Sequence, residues 1–252
     1  MSVAFSAVLT AAGSGTRLGC DGPKALVNVG GVPIVLRALR GLLQAGAQAV
    51  VVTAPADTLQ QFQQIVGSVH AAVPVRVVAG GAVRQASVKA GLDALTRLEQ
   101  WPNLKALPIL AHDAARCLTP ASLIQRVAAA LSADTPAVVP ANPVIDTLKR
   151  VGGVIGDPLR PVLETPDREQ LVAEQTPQGF LPDLLLEAHR RGASLAASPD
   201  TAATDDAALV EAMDTTVHVV PGDLLALKVT TKLDWAVAEI LAAKEDEASY
   251  NG

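Results

Sequence analysis

The chain is 252 residues long, half of them hydrophobic, with a formal net charge of −5 at pH 7. That apolar content excludes disorder, the acidic balance with a pI near 5.4 argues against a general nucleic-acid binder, and no leader or apolar run of about 18 residues marks export or a membrane span. The expectation is a cytoplasmic protein without a nucleic-acid or membrane partner. Aromatic residues make up only 2% of the chain, so Ala, Val and Leu must build the core, which suits a parallel sheet covered by helices. Cys20 and Cys117 are too few for a disulfide framework, and the four histidines are dispersed without metal-ligand spacing.

The first element is an apolar strand ending in Ala7, Val8 and Leu9, followed by AAGSGTRLGCDGPK. Gly13 and Gly15 let the backbone turn tightly and aim N–H groups at an anion, while Arg17 and Lys24 add positive charge on either side. The guest this suggests is a nucleoside triphosphate; the bland alternative for both cations is a solvated loop. Two commoner glycine motifs fail. The dinucleotide fingerprint meets Leu18 at its third glycine, and the strand Ala49–Thr53 ends without the acidic residue that would hold a ribose. No Gly-Lys-Ser/Thr completes a P-loop.

Downstream, Pro33–Ala45 carries a helical apolar stripe, Ala49–Thr53 is a β-branched strand, Pro55–Val69 a second helix and Val75–Ala79 a third strand. The alternation predicts parallel strands with right-handed crossovers and a ligand site beyond their carboxyl ends. Ser87–Leu98 reads as a helix and Leu107–Ala111 as a buried strand delivering His112, Asp113 and Arg116; Thr119 is expected to cap the next helix, with Pro120 in its first turn. Pro136–Pro140 is a short strand. From about 141 to 178 the helical rhythm stops and Pro and Gly punctuate short extended pieces, which predicts a β-rich arm inserted in one domain spanning 1–252. A helix at Pro182–Arg191 and a loop at Ala193–Ala203 follow. Thr204 is expected to cap an acidic helix, Val217–Pro221 and Leu225–Val229 read as late strands, and Thr231–Lys244 as a final helix with a near capping box, before a frayed tail. The fold class is α/β: a Rossmann-like, mostly parallel sheet with helices on both faces and the arm insertion.

The phrase A-A-G-x-G-T-R-L-G followed by P-K resembles the nucleotide-binding loop of the nucleotidyltransferases that activate sugar phosphates. RQASVKAGL, HDAAR, PVIDTLKR, TPQGF, TDDA and LKVT then occur in the order found in the 2-C-methyl-D-erythritol 4-phosphate cytidylyltransferases of the non-mevalonate isoprenoid pathway, so that the resemblance runs from about Val8 to about Leu241. It implies a Mg²⁺-dependent reaction of CTP with a polyol phosphate, and a homodimer in which the arm embraces a second subunit. Ala11, Ala12, Gly13, Gly15, Arg17 and Lys24 match the family's triphosphate loop, Gly80, Gly81, Ala82 and Ser87 its cytosine pocket, and Asp113 and Ala114 further nucleotide contacts. Arg17, Lys24 and Lys228 match its catalytic cations; Asp113, Arg116, Thr147, Arg168, Thr176 and Lys228 match its acceptor site.

Asp113 has two roles open, holding Mg²⁺ or orienting acceptor hydroxyls, beside the plain one of a salt-bridging aspartate. Arg116 could reach the acceptor or merely pair with Asp113, and Thr147 and Thr176 could be plain strand threonines. A phosphomonoester with its second pKa about 6 is already a nucleophile at neutral pH, so the absence of a catalytic triad is consistent with this chemistry. The chain departs from the family where Thr10 replaces a frequent proline, expected to loosen the turn, where Ala82 and Val83 replace acidic residues, and where Ala226 replaces an asparagine. The rivals are a cytidylyltransferase for another polyol phosphate such as ribitol 5-phosphate, a nicotinamide-dependent oxidoreductase, disfavoured by Leu18, and a catalytically silent nucleotide-binding subunit, disfavoured by the presence of Arg17, Lys24 and Asp113.

Overall fold

The computed structural model describes residues 2–13, 18–19, 22–153, 159–198 and 200–250. Strand β1 (Phe5–Thr10) has no polar face to give to water, and every residue but Thr10 is buried. A small hairpin, β2 (Asn28–Val29) and β3 (Val32–Pro33), leads into α1 (Ile34–Gln44), which buries Ile34, Val35, Ala38, Leu39 and Leu42. There follow β4 (Ala47–Ala54), α2 (Leu59–Gly67), β5 (Val75–Ala79), α3 (Arg84–Thr96), the one-turn α4 (Trp101–Leu104) and β6 (Ile109–Asp113). The second half adds α5 (Ala121–Ala130), β7 (Ala137–Pro143), β8 (Arg150–Val151), β9 (Val162–Glu164), β10 (Val172–Glu174), β11 (Gln178–Phe180), α6 (Pro182–Arg191), α7 (Asp206–Glu211), β12 (His218–Pro221) and α8 (Lys232–Tyr250).

Eight of the strands make one mixed sheet in the order β10-β7-β11-β6-β1-β4-β5, with β12 pairing β7 off that path. β1 pairs in parallel with both β4 and β6, β4 with β5, and β7 with β12; β10 and β11 run antiparallel to their neighbours. Alternate residues of β1 serve two cores. Ala7 and Leu9 pack with α1, α2, α5 and α8, whereas Val8 packs with α3, α6 and α7, so helices cover both faces. At Gly91 a Cβ would lie 2.4 Å from Val8 Cγ1, which shows how closely α3 rides on β1. The chain leaves β1 toward β4 and β5, then returns to β6 on the other side. That reversal opens a crevice at the carboxyl ends of β1 and β6, the place where open α/β sheets bind ligands. The register sets Thr10 beside Asp113 there.

Several boundaries differ from the sequence reading for local reasons. α3 begins at Arg84 rather than Ser87. Thr119 does not cap α5; its hydroxyl donates to Arg116 O at 2.7 Å, and Pro120 stands at the cap. Thr204 does not cap α7 either, because Asp205 Oδ1 accepts Ala208 N at 2.8 Å. Leu225–Val229 is no strand: Asp223 captures Leu225 N, starting the 3-10 turn Leu224–Ala226, and Val229 N then bonds Ala115 O. The 193–203 loop opens with a 3-10 helix, Gly192–Ala197. Thr231 and Asp234 exchange backbone N–H bonds in the anticipated capping box, but α8 continues to Tyr250. The main sheet also claims Ala141–Pro143 and Val172–Glu174, so that only about 144–171 stands off it, with β8 and β9 as its own hairpin. No helix among the described residues is long and apolar enough to cross a membrane.

Candidate active site

A cleft of about 380 Å³ occupies the crevice. The loop after β1 lines it with Ala11, Ala12 and Gly13, the turn before α3 with Gly81, Ala82 and Ser87, and the end of β6 with Asp113 and Ala114; Lys24 and Lys228 complete the wall. Gly80 lies behind this surface, where a Cβ would come within 2.8 Å of Ser87 Oγ and 2.9 Å of Ala12 Cβ, so only glycine lets the two loops approach. Ser87 Oγ accepts Gly81 N at 3.1 Å and lies 3.1 Å from Val83 O, fixing the turn whose backbone faces the cleft. Lys24 is carried by a 3-10 turn, Lys24–Leu26, anchored by buried Ala25. Gly15, Arg17 and Cys20 lie outside the described residues. Cys117 is buried in the hydrophobic core.

Asp113 is the electrostatic centre. Lys228 Nζ lies 2.7 Å from Oδ2, and Arg84 Nε 3.0 Å from Oδ1. Burial alone would raise its pKa, but these two cations outweigh burial and hold the carboxyl well below the usual carboxylate range. Thr10, expected to loosen the turn, instead lies with its hydroxyl 3.2 Å from Asp113 Oδ1 and 3.3 Å from His112 O, within donating distance of both. Thr176 Oγ1 accepts Asp113 N at 3.1 Å and meets His112 Nδ1 at 2.9 Å. Burial pushes the His112 pKa down to about 4, so the ring is neutral.

Arg84 is the residue the sequence reading missed. Its other arm reaches Asp206 at 2.8 Å; Asp206 is wholly buried, and its remaining oxygen meets His189 Nε2 at 2.9 Å. Arg84 and Asp206 both sit in stretches that carry the family resemblance, each at the start of a helix on the same sheet face, but nothing in either stretch names the other as partner.

A smaller cleft of about 150 Å³ adjoins the first and shares Arg84, Asp113 and Lys228 with it. Arg116, Glu174, Thr176, Thr204 and Asp205 line its remaining wall. Arg116 forms no ion pair with Asp113; it donates to Ala226 O at 2.7 Å and Glu174 O at 3.1 Å. Ala226, where the family often has asparagine, thus serves through its carbonyl. Thr147 and Arg168 line neither cleft. Both are exposed on the 144–171 segment, with Arg168 donating to Ile145 O at 2.8 Å.

The family model described as 2-C-methyl-D-erythritol 4-phosphate cytidylyltransferase (IspD) matches residues 5–244. The enzyme of that name from Nocardia farcinica is 46% identical over 236 residues, which are 93% of this chain and 92% of that protein. The bifunctional IspD/IspF enzyme of Clavibacter michiganensis subsp. michiganensis is 46% identical over 241 residues, but the match spans only 54% of its length. The crystal structure of the 2-C-methyl-D-erythritol 4-phosphate cytidylyltransferase from Thermus thermophilus superposes with a TM-score of 0.70 at 32% identity, over 96% of this chain and 100% of that one.

Proposed function

The chain belongs to the 2-C-methyl-D-erythritol 4-phosphate cytidylyltransferase family, and on that premise we propose that it transfers the cytidyl group of CTP to 2-C-methyl-D-erythritol 4-phosphate, releasing pyrophosphate. The observation that carries this reading is the meeting of two clefts at Asp113, Arg84 and Lys228. The larger suits a nucleotide between backbone-rich loops and Lys24, and the smaller a short polar acceptor. An acceptor phosphate oxygen would attack the α-phosphorus where the clefts join; the new P–O bond forms as the bond to the β-phosphate's bridging oxygen breaks, giving 4-diphosphocytidyl-2-C-methyl-D-erythritol. The phosphomonoester is its own nucleophile, so the chain's work is alignment and charge neutralisation by Lys24 and Lys228. The reaction belongs in the cytoplasm, where CTP is available.

Asp113 suits Mg²⁺, which commonly takes one or two carboxylates plus substrate phosphates: its carboxyl is held ionised on the cleft wall. When bound there, Mg²⁺ would supply further neutralisation of the triphosphate. The rival acceptor is ribitol 5-phosphate. Side-by-side turnover with CTP should give the higher kcat/KM for 2-C-methyl-D-erythritol 4-phosphate; preference for the ribitol compound would overturn the acceptor assignment.

The 144–171 segment supports a two-fold dimer. It exposes Ile145, Leu159, Val162 and Leu163, a run of large apolar residues that another subunit would cover. In such a dimer each site would combine one chain's Lys24 with the other's Arg168. Lys24→Ala and Arg168→Ala, each inactive alone, should then complement when unfolded and refolded together. Random pairing makes half the dimers mixed with one intact site of two, so activity should return to about a quarter of wild type. Dimers that form yet stay inactive would refute the sharing.

A further inference from the structure

The smaller cleft carries two carboxyl side chains that the reaction above does not use, Glu174 on β10 and Asp205 ahead of α7. Both are fixed from behind. Gln178 donates its Nε2 to Glu174 Oε1 while its Oε1 accepts Asp206 N at 2.9 Å, and Asp205 Oδ1 accepts Ala208 N. The backbone carbonyl of Glu174 holds Arg116. Two of the neighbouring cations are held by the protein: Arg84 by Asp113 and Asp206, and Arg116 by two backbone carbonyls. What this end of the cleft offers a guest is therefore carboxyl oxygens and the hydroxyl of Thr204, the buried Thr176 hydroxyl being already bonded to Asp113 N and His112 Nδ1. Such a lining is complementary to hydroxyl groups, not to a second anion.

We propose that Glu174, oriented by Gln178, accepts hydrogen bonds from hydroxyl groups on the carbon chain of the acceptor and is a specificity-determining residue of the reaction. The inference rests on the proposed function and names the group that reads the polyol. A site built to bond a substrate hydroxyl discriminates strongly against an analogue lacking it, because the polar group of the protein is left without a partner. Burial first, and Asp205 second, push the Glu174 carboxyl up to about 7; the hydrogen bond from Gln178 and, more weakly, Arg84 from α3 oppose them, and Arg116, Asp113 and Lys228 are the other charges around the cleft. A carboxyl raised in this way stays protonated to higher pH than an ordinary one and gains its negative charge only as pH rises through that higher range. There it faces an incoming phosphomonoester dianion and weakens acceptor use.

The test compares full-length wild type, Glu174→Gln and Glu174→Ala with CTP, Mg²⁺, 2-C-methyl-D-erythritol 4-phosphate and its analogues lacking one hydroxyl. Assayed above pH 7, where Glu174 carries its charge, wild type should prefer the complete polyol over at least one analogue by about 30-fold in kcat/KM, the range of one hydrogen bond to a charged group. Glu174→Ala should narrow that preference to about 3-fold, chiefly through KM, a change that a merely structural role would not produce. Glu174→Gln keeps an acceptor for Gln178, which guards against loss of fold, and should lose the fall in acceptor kcat/KM above pH 7. Unchanged discrimination in both variants, with wild type turning over, would overturn the role of Glu174 alone. A wild type that turns over no acceptor would overturn the proposed function and this inference with it.

Discussion

Lys24→Ala should lower turnover at least about 100-fold while the fold stays intact, since a preorganised charge at a water-poor reacting centre is worth several kcal/mol in the transition state. The expectation follows from position. Lys24 lines the larger cleft on a 3-10 turn whose packing is done by Ala25, so truncating the side chain leaves that anchor in place. Its charge is felt locally: burial works against ionisation of Asp234, but bonds from Thr231 and Thr230, with Lys24 nearby, lower that carboxyl's pKa. Steady-state kinetics with circular dichroism as a fold control would read the effect. Near-normal turnover would return Lys24 to the status of a solvated loop charge.

Arg84→Met should cost about 3 kcal/mol of stability at pH 7, the range found when one partner of a buried ion pair is removed. Asp206 is fully buried and would keep only His189, while Asp113 would lose one of its two cations. Arg84 itself is held well above its usual pKa, against the opposing effect of burial, by these same two carboxylates. Both carboxyls lie below the usual carboxylate range in the folded chain, again against burial. Their contribution is therefore fully present above an unfolded pKa of about 4 and is lost progressively as pH falls from there through the lower folded pKa values. Urea unfolding should show wild type and Arg84→Met far apart at pH 7, with the gap beginning to narrow only as pH is taken below about 4. Equal midpoints at pH 7 would mean that the pairing contributes nothing net.

The strands and helices around β1 were legible because buried parallel strands leave uninterrupted apolar runs, as in Ala49–Thr53, and because the helices between them keep their stripes. Contacts between distant stretches were not. Arg84 meets Asp206 across 122 positions, and no local pattern at either end encodes that meeting. Thr10 read as a departure that loosens a turn; only the register placing it opposite Asp113 shows its hydroxyl reaching that carboxyl. Lys228 was placed on a strand because LALKV is apolar, yet Asp223 diverts the backbone into a 3-10 turn before the ladder can form. Glu174 carried no signal, since its environment is assembled from β10, β11 and the start of α7.

The most direct measurement uses CTP labelled at the α-phosphorus, incubated with the full-length protein, Mg²⁺ and 2-C-methyl-D-erythritol 4-phosphate. The account predicts that the label appears in 4-diphosphocytidyl-2-C-methyl-D-erythritol, with one unlabelled pyrophosphate released per product and none when the acceptor or CTP is omitted. Label recovered only in CTP or CMP, or transfer to the acceptor from the γ-phosphate instead, would contradict it.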